Sequence, residues 1–155
     1  MSEHDLSDGF RYISENTVGC LSLHDCICTR LHREDRALVF EMEWMEVLPF
    51  HPDNHTGQAR QSGKGRIVLL DPIILNGTLR KWSTANTVPL DDSDEARDFE
   101  ILDLEEKPSA NGFELSLYGV FDGDPEKDSV EMKIAYSSSQ VMFNELGEVS
   151  WFELQ

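Results

Sequence analysis

The residue types best suited to chemistry crowd into one short segment. His24, Cys26 and Cys28 alternate along it, with Cys20 and His32 at its ends. In an extended strand, side chains two apart share a face, so this spacing lines up one imidazole and two thiols. A later loop supplies His51 and His55 in the pattern H-x3-H. Cys26, Cys28, His51 and His55 therefore compose a writable zinc set, since thiolate and neutral imidazole are the ligands zinc favours. Zinc cysteine pairs typically have about two to four residues between them. Here there is only one, Ile27. Small thiols also fill strand faces as apolar groups. Packing is thus the expectation for Cys26 and Cys28, with no metal and no other cofactor.

The same residues could be arranged for Cys–His catalysis, with Cys26 or Cys28 as nucleophile and His24 or His51 as base. A reactive thiol needs a lowered pKa, usually from a helix N-terminus or a nearby cation. Few cations lie on this strand, and a negative field raises a thiol pKa.

The other candidates fail on their own terms. The segment from Asp122 to Asp128 (DGDPEKD) imitates a calcium loop at alternate positions. It has Lys127 where the turn glycine belongs and Lys133 at the closing acid. The stretch from Gly57 to Gly65 (GQARQSGKG) lacks the GK[ST] ending of a phosphate loop. Carboxylate pairs for glycosidic chemistry carry no signal among thirty acids. GxSxG, HExxH and CxxC are absent from the sequence. The expectation is a protein that is not an enzyme. Trp44 shares a register with Phe40 and Met42 and reads as core. Trp82 and Trp151 are the aromatics that could line a sugar or peptide groove.

Charge is the strongest global property. Thirty acidic against thirteen basic side chains give a formal charge of −17. Such a surface repels nucleic acid and anionic lipid and attracts cationic partners. The acidic run Asp91, Asp92, Asp94, Glu95 and Asp98 is the candidate protein-binding surface, because charge complementarity raises on-rate and specificity. The bland alternative is a solvated loop. Thirty-nine per cent hydrophobic residues indicate a globular chain. No apolar run approaches a membrane span, and the polar start does not read as a signal peptide. Three crowded cysteines do not make a disulfide framework. These features predict a cytoplasmic protein, monomeric or homodimeric, with a basic protein partner and with neither nucleic acid nor membrane as ligand.

The elements that must position these residues read as strands. An arm at 1–16 carries Phe10, Tyr12 and Ile13 as docking groups, and a single β domain fills 17–155. Period-two patterning marks strands over Cys20–Leu31 and Ala37–Val47. A loop follows at Leu48–Lys64. The apolar run Arg66–Leu75 suits a strand buried on both faces, ended or bulged by Pro72. Asn76-Gly77 signals a turn, and 83–95 a polar loop. A meander closes the chain, with strands at Phe99–Glu105, Phe113–Phe121, Val130–Tyr136, Val141–Phe143 and Val149–Leu154. About eight short strands at this spacing predict an all-β, antiparallel sandwich or partly open barrel, with room for one short helix.

Leu23-His24-Asp25-Cys26 opening a strand, the acidic and aromatic second strand, and the loop Pro49–Gly65 (PFHPDNHTGQARQSGKG) together resemble a loose group of small β-rich bacterial proteins of unassigned function. Some of that group are immunity proteins encoded beside polymorphic toxins. The likeness covers roughly the first half of the chain. It implies a non-enzymatic protein that binds and neutralises a cognate toxin, often a basic nuclease. The alternative drawn from the residues themselves is a small-molecule or carbohydrate-binding β domain using exposed aromatics.

Overall fold

The computed structural model describes residues 9–81, 86–89, 96–121 and 129–154, and describes side chains outside 78–97. These residues form thirteen strands: β1 (Tyr12–Glu15), β2 (Leu21–Ser22), β3 (Ile27–Glu34), β4 (Ala37–Met42), β5 (Glu46–Val47), β6 (Arg60–Gln61), β7 (Gly65–Leu70), β8 (Ile73–Lys81), β9 (Asn86–Pro89), β10 (Ala96–Ser109), β11 (Gly112–Phe121), β12 (Ser129–Tyr136) and β13 (Ser138–Phe143). Ten belong to one sheet, in the order β1-β13-β7-β4-β3-β10-β11-β12-β8-β9, and β2-β5-β6 make a small second sheet. Every pairing among them is antiparallel. The large sheet keeps two edges and is not a closed barrel.

The expected all-β class is correct, but the count of eight strands is too low, and the described residues hold no α-helix. Their helical pieces are 3-10 turns at Val18–Cys20 and Trp151–Leu154. The undercount has identifiable causes. The run from Arg66 to Leu75 is two strands, β7 and β8, separated by a corner. Asp71 there adopts φ 51°, which Asp tolerates, and Pro72 has no N–H to give a ladder. Asn76 and Gly77 lie inside β8 beside a bulge in its pairing with β12, and make no turn. The segment expected as a last strand contributes one isolated bridge, Val149 to Arg60, before turning helical. The arm is anchored from Tyr12 onward, where β1 pairs with β13.

Period-two patterning does set the core. In β12, Val130, Met132, Ile134 and Tyr136 are buried while Glu131 and Lys133 are exposed. The 3-10 turn at Val18–Cys20 touches both β10 and β13, four places apart in the sheet, so the sheet curls around one interior. That interior joins Leu31, Phe40, Leu69, Phe99, Leu117, Ile134 and Phe143 in a single cluster. β4 is buried on both faces. Its outer face, Ala37 and Val39, packs with Val68 and Met142 under Phe10 and Leu70. Arg66 sits 5.1 Å over the Phe10 ring and pairs with Glu41. Phe10 and Tyr12 dock the N-terminal segment as expected, the Tyr12 ring lying tilted 5.3 Å from that of Phe143, whereas Ile13 points to the exposed face of β1 and does not.

Among the described residues, no helix is long and apolar enough to cross a membrane.

Candidate functional site

The strand expected over Cys20–Leu31 is broken where its chemistry sits. Leu23 to Cys26 form a tight turn, closed by Cys26 N–H donating to the Leu23 carbonyl at 2.9 Å. Asp25 takes φ 70° at its apex. The turn is clamped onto β10, as Asp25 N–H donates to the Ile101 carbonyl and Ile101 N–H donates to that of Cys26. β10 has a bulge between Ile101 and Asp103 in its pairing with β11. Bulges re-aim groups that a regular ladder would consume. Here the Leu102 carbonyl accepts a hydrogen bond from His24 Nδ1, which fixes the ring at the surface with Nε2 3.5 Å from Asp25.

The three residues expected to share a face therefore part company. His24 is exposed, while Cys26 and Cys28 are buried in the core. Burial, then the charges of Glu46 and Asp25, push the Cys26 thiol up to about 12. Cys28 is raised further, again chiefly by burial. Cys20, partly buried near Glu106, is also raised. These thiols are protonated and poor nucleophiles at neutral pH. A dithiobis-nitrobenzoate titration of the native protein at pH 8 should leave Cys26 and Cys28 unmodified while all three react in denaturant. Fast release of three equivalents from the native protein would contradict this.

His51 is also spoken for. It is 2% exposed, and its Nδ1 accepts a hydrogen bond from Asp53 N–H at 3.0 Å. Nε2 therefore carries the proton and donates to Ser14 Oγ at 3.0 Å. Ser14 in turn lies 2.6 Å from Thr17 Oγ1. This is a Ser–His contact that the sequence did not suggest, because β1 and the Pro49–Gly65 loop are far apart in the chain. In this tautomer the imidazole cannot take the Ser14 proton, so the contact ties β1 to the loop and does not activate a nucleophile. The writable zinc set is dispersed: Cys26 and Cys28 lie in the core, His51 lies in this network, and among the described residues no group of three ligating side chains converges.

The convergent site lies on the other side of the His24 turn. Trp44, which leaves the β4 register after Met42, joins His24, Asp25, Glu46, Gln61 and Trp151 around a cleft of about 270 Å³. Trp44 was expected in the core. It does pack against that core, but it is half-buried and contributes to the cleft wall. Trp151 is 48% exposed. The small sheet builds the floor, where Glu46 on β5 pairs with Gln61 on β6. The C-terminal segment is laced over β6 by Ser150 N–H to the Ala59 carbonyl and Ala59 N–H to Glu153 Oε2. This places Ser150 Oγ 2.6 Å from Glu46 Oε2, while Gln61 Nε2 donates to Oε1 at 3.3 Å. At the rim, Asp25 is hydrogen-bonded to Glu100 on β10. Partial burial first, then that bond and the Asp25 charge, raise the Glu100 carboxyl, against a lowering influence of His24.

Of the acidic run proposed from sequence, Asp91, Asp92, Asp94 and Glu95 lie outside the described residues, as do Trp82 and the segment 122–128. Asp98 is described, and it is exposed at φ 56° at the start of β10. The cleft itself was not legible as a unit, because its six residues come from four separate stretches of chain. Its one local signal was the pair of tryptophans set in acidic surroundings.

Fold and site define an open-sheet, all-β protein with a small aromatic and acidic cleft. Comparison with known proteins gives no matching family model, no matching curated protein and no matching solved structure.

Proposed function

We propose that the protein is a non-enzymatic binding domain of immunity type that captures and occludes a cationic protein partner in the cytoplasm. The observation that carries this reading is the conjunction, in one cleft, of two tryptophans with carboxyl groups, on a chain of net charge −17. Tryptophan-rich, carboxylate-bearing surfaces serve as anchors for basic side chains. The surrounding negative field would speed encounter with a basic protein and repel nucleic acid and anionic lipid. Three free cysteines accord with a reducing compartment. Asp91, Asp92, Asp94, Glu95 and Asp98 would extend the acidic surface. The resemblance of the first half to a loose group of small β-rich bacterial proteins, some of them immunity proteins, points the same way. The test is co-purification of the full chain from its source cells at low salt, followed by reconstitution with the purified partner. A basic protein that is released at high salt, and whose toxicity the chain suppresses on co-expression, is the expected result. If no basic protein is retained, the reading fails.

A second reading is favoured by one specific feature, the exposed Trp151 sharing a cleft with an amide and carboxyl groups. That set also suits the apolar face and hydroxyls of a sugar ring. Saturable changes in tryptophan fluorescence with neutral monosaccharides would select it.

A further inference from the structure

We propose that the cleft of Trp44, Trp151 and Glu46 is a receptor for a single arginine side chain of the basic partner. This rests on the partner reading above and deepens it. Glu46 is the key group. It is only 2% exposed, yet its carboxyl is bonded by neutral groups, the Ser150 hydroxyl and the Gln61 amide. Among the described residues no Lys, Arg or His forms an ion pair with it. A buried carboxylate without a counter-charge is an unfavourable arrangement, and proteins normally compensate one with a cation. Two neutral donors leave about half of its roughly four lone-pair sites open.

The walls select the kind of cation. Trp44 and Trp151 line the cleft, and a guanidinium stacks on an indole better than an ammonium does. Glu46 within the cleft and Asp25 at the rim offer carboxylates, to which a guanidinium can bond bidentately. The volume of about 270 Å³ falls below the usual range for drug-sized ligands, roughly 300–1,000 Å³, and suits one long side chain. The net charge of −17 makes a basic partner the natural source of that side chain.

The test uses the full chain with three capped peptides differing at one position: arginine, lysine or the neutral isostere citrulline. Tryptophan fluorescence and calorimetry read binding at low salt. The arginine peptide should bind saturably, with citrulline weaker by about tenfold or more. Glu46→Gln and the exposed Trp151→Ala should each reduce arginine binding by about tenfold. Trp151→Ala keeps the test valid if Glu46→Gln fails to fold. Equal affinity for arginine and citrulline, or unchanged binding by folded Trp151→Ala, would overturn the inference. So would saturable binding of a neutral sugar with no response to arginine. The partner is scored separately. If the reconstituted basic protein binds both variants as tightly as wild type, the arginine receptor is wrong and the partner reading stands. If no basic partner is retained at all, the partner reading itself has failed.

Discussion

Replacing Phe99 by alanine should lower the unfolding free energy by about 3–5 kcal/mol, since it is one of the largest fully buried side chains among the described residues. Phe99 is completely buried and stands on β10 between Cys28 of β3 and Phe121 of β11. Its ring packs 5.9 Å from that of Phe121 and lies against Gly119. A Cβ on Gly119 would come within 2.7 Å of Phe99 Cδ2 and 3.0 Å of the Glu100 carbonyl. Gly119 is therefore glycine because a ring occupies the place of its side chain. Gly119→Ala alone should cost about 1–3 kcal/mol by overpacking. In the Phe99→Ala background the new methyl would enter vacated space, so the double variant should be more stable than the sum of the two losses implies. Chemical denaturation of the four proteins measures this. Strict additivity would show that the two residues do not share the space. A domain of this kind has a total stability of roughly 5–15 kcal/mol. Loss of the Phe99 ring would consume a large share of it.

Acidification should destabilise the protein through His51. Burial holds the imidazole below its ordinary value of 6.5, the nearby Asp53 charge opposing only in part. The geometry supplies a further reason, since a proton on Nδ1 would destroy the bond it accepts from Asp53 N–H. The unfolded chain thus binds this proton more readily than the native one. Stability from His51 is complete above pH 6.5 and drains away as pH falls through the depressed native value. Two carboxyls act in the opposite sense. Glu106 is raised by burial against hydrogen bonds from Tyr136 and Gly19, and Glu100 is raised as described. Their contributions are present below about 4.5 and are lost as pH rises through the native values. Comparison with His51→Gln isolates the imidazole, because glutamine does not titrate in this range and cannot keep both the bond from Asp53 N–H and the bond to Ser14. Wild type should be more stable than the variant by roughly 1–3 kcal/mol at pH 8. That margin should shrink towards pH 5. A margin that stays constant across this range would refute the assignment.

The two variants also mark what was readable in advance. Phe99 opens a segment legible as a strand, and its pairing with β3 on one side and β11 on the other decides that its ring is buried. His51 stood in a polar loop next to Pro52, and nothing local indicated that it would be buried. Its environment is made by Ser14 and Phe143, from opposite ends of the chain, the latter with its ring 5.5 Å away. Cys26 and Cys28 were correctly expected to be packed thiols. His24 left their face because the Asp25 turn, clamped to β10, rotates the chain, and strand periodicity cannot register a left-handed residue that lies between two strands.

The sequence by itself determined the all-β class, the inward faces of β11 and β12, the buried thiols and the sign of the electrostatic field. All of these follow from side-chain type repeated at period two or summed over the chain, quantities that do not depend on which strands meet. Only the tertiary structure decided that the apolar run after Arg66 folds back at Asp71-Pro72, that Trp44 turns out of its strand, and that Glu46 is buried with no ion-pair partner among the described residues. Those outcomes depend on long-range pairing. β5 must meet β6, and the C-terminal segment must cross β6, before Ser150 can reach Glu46 and Trp151 can close the cleft.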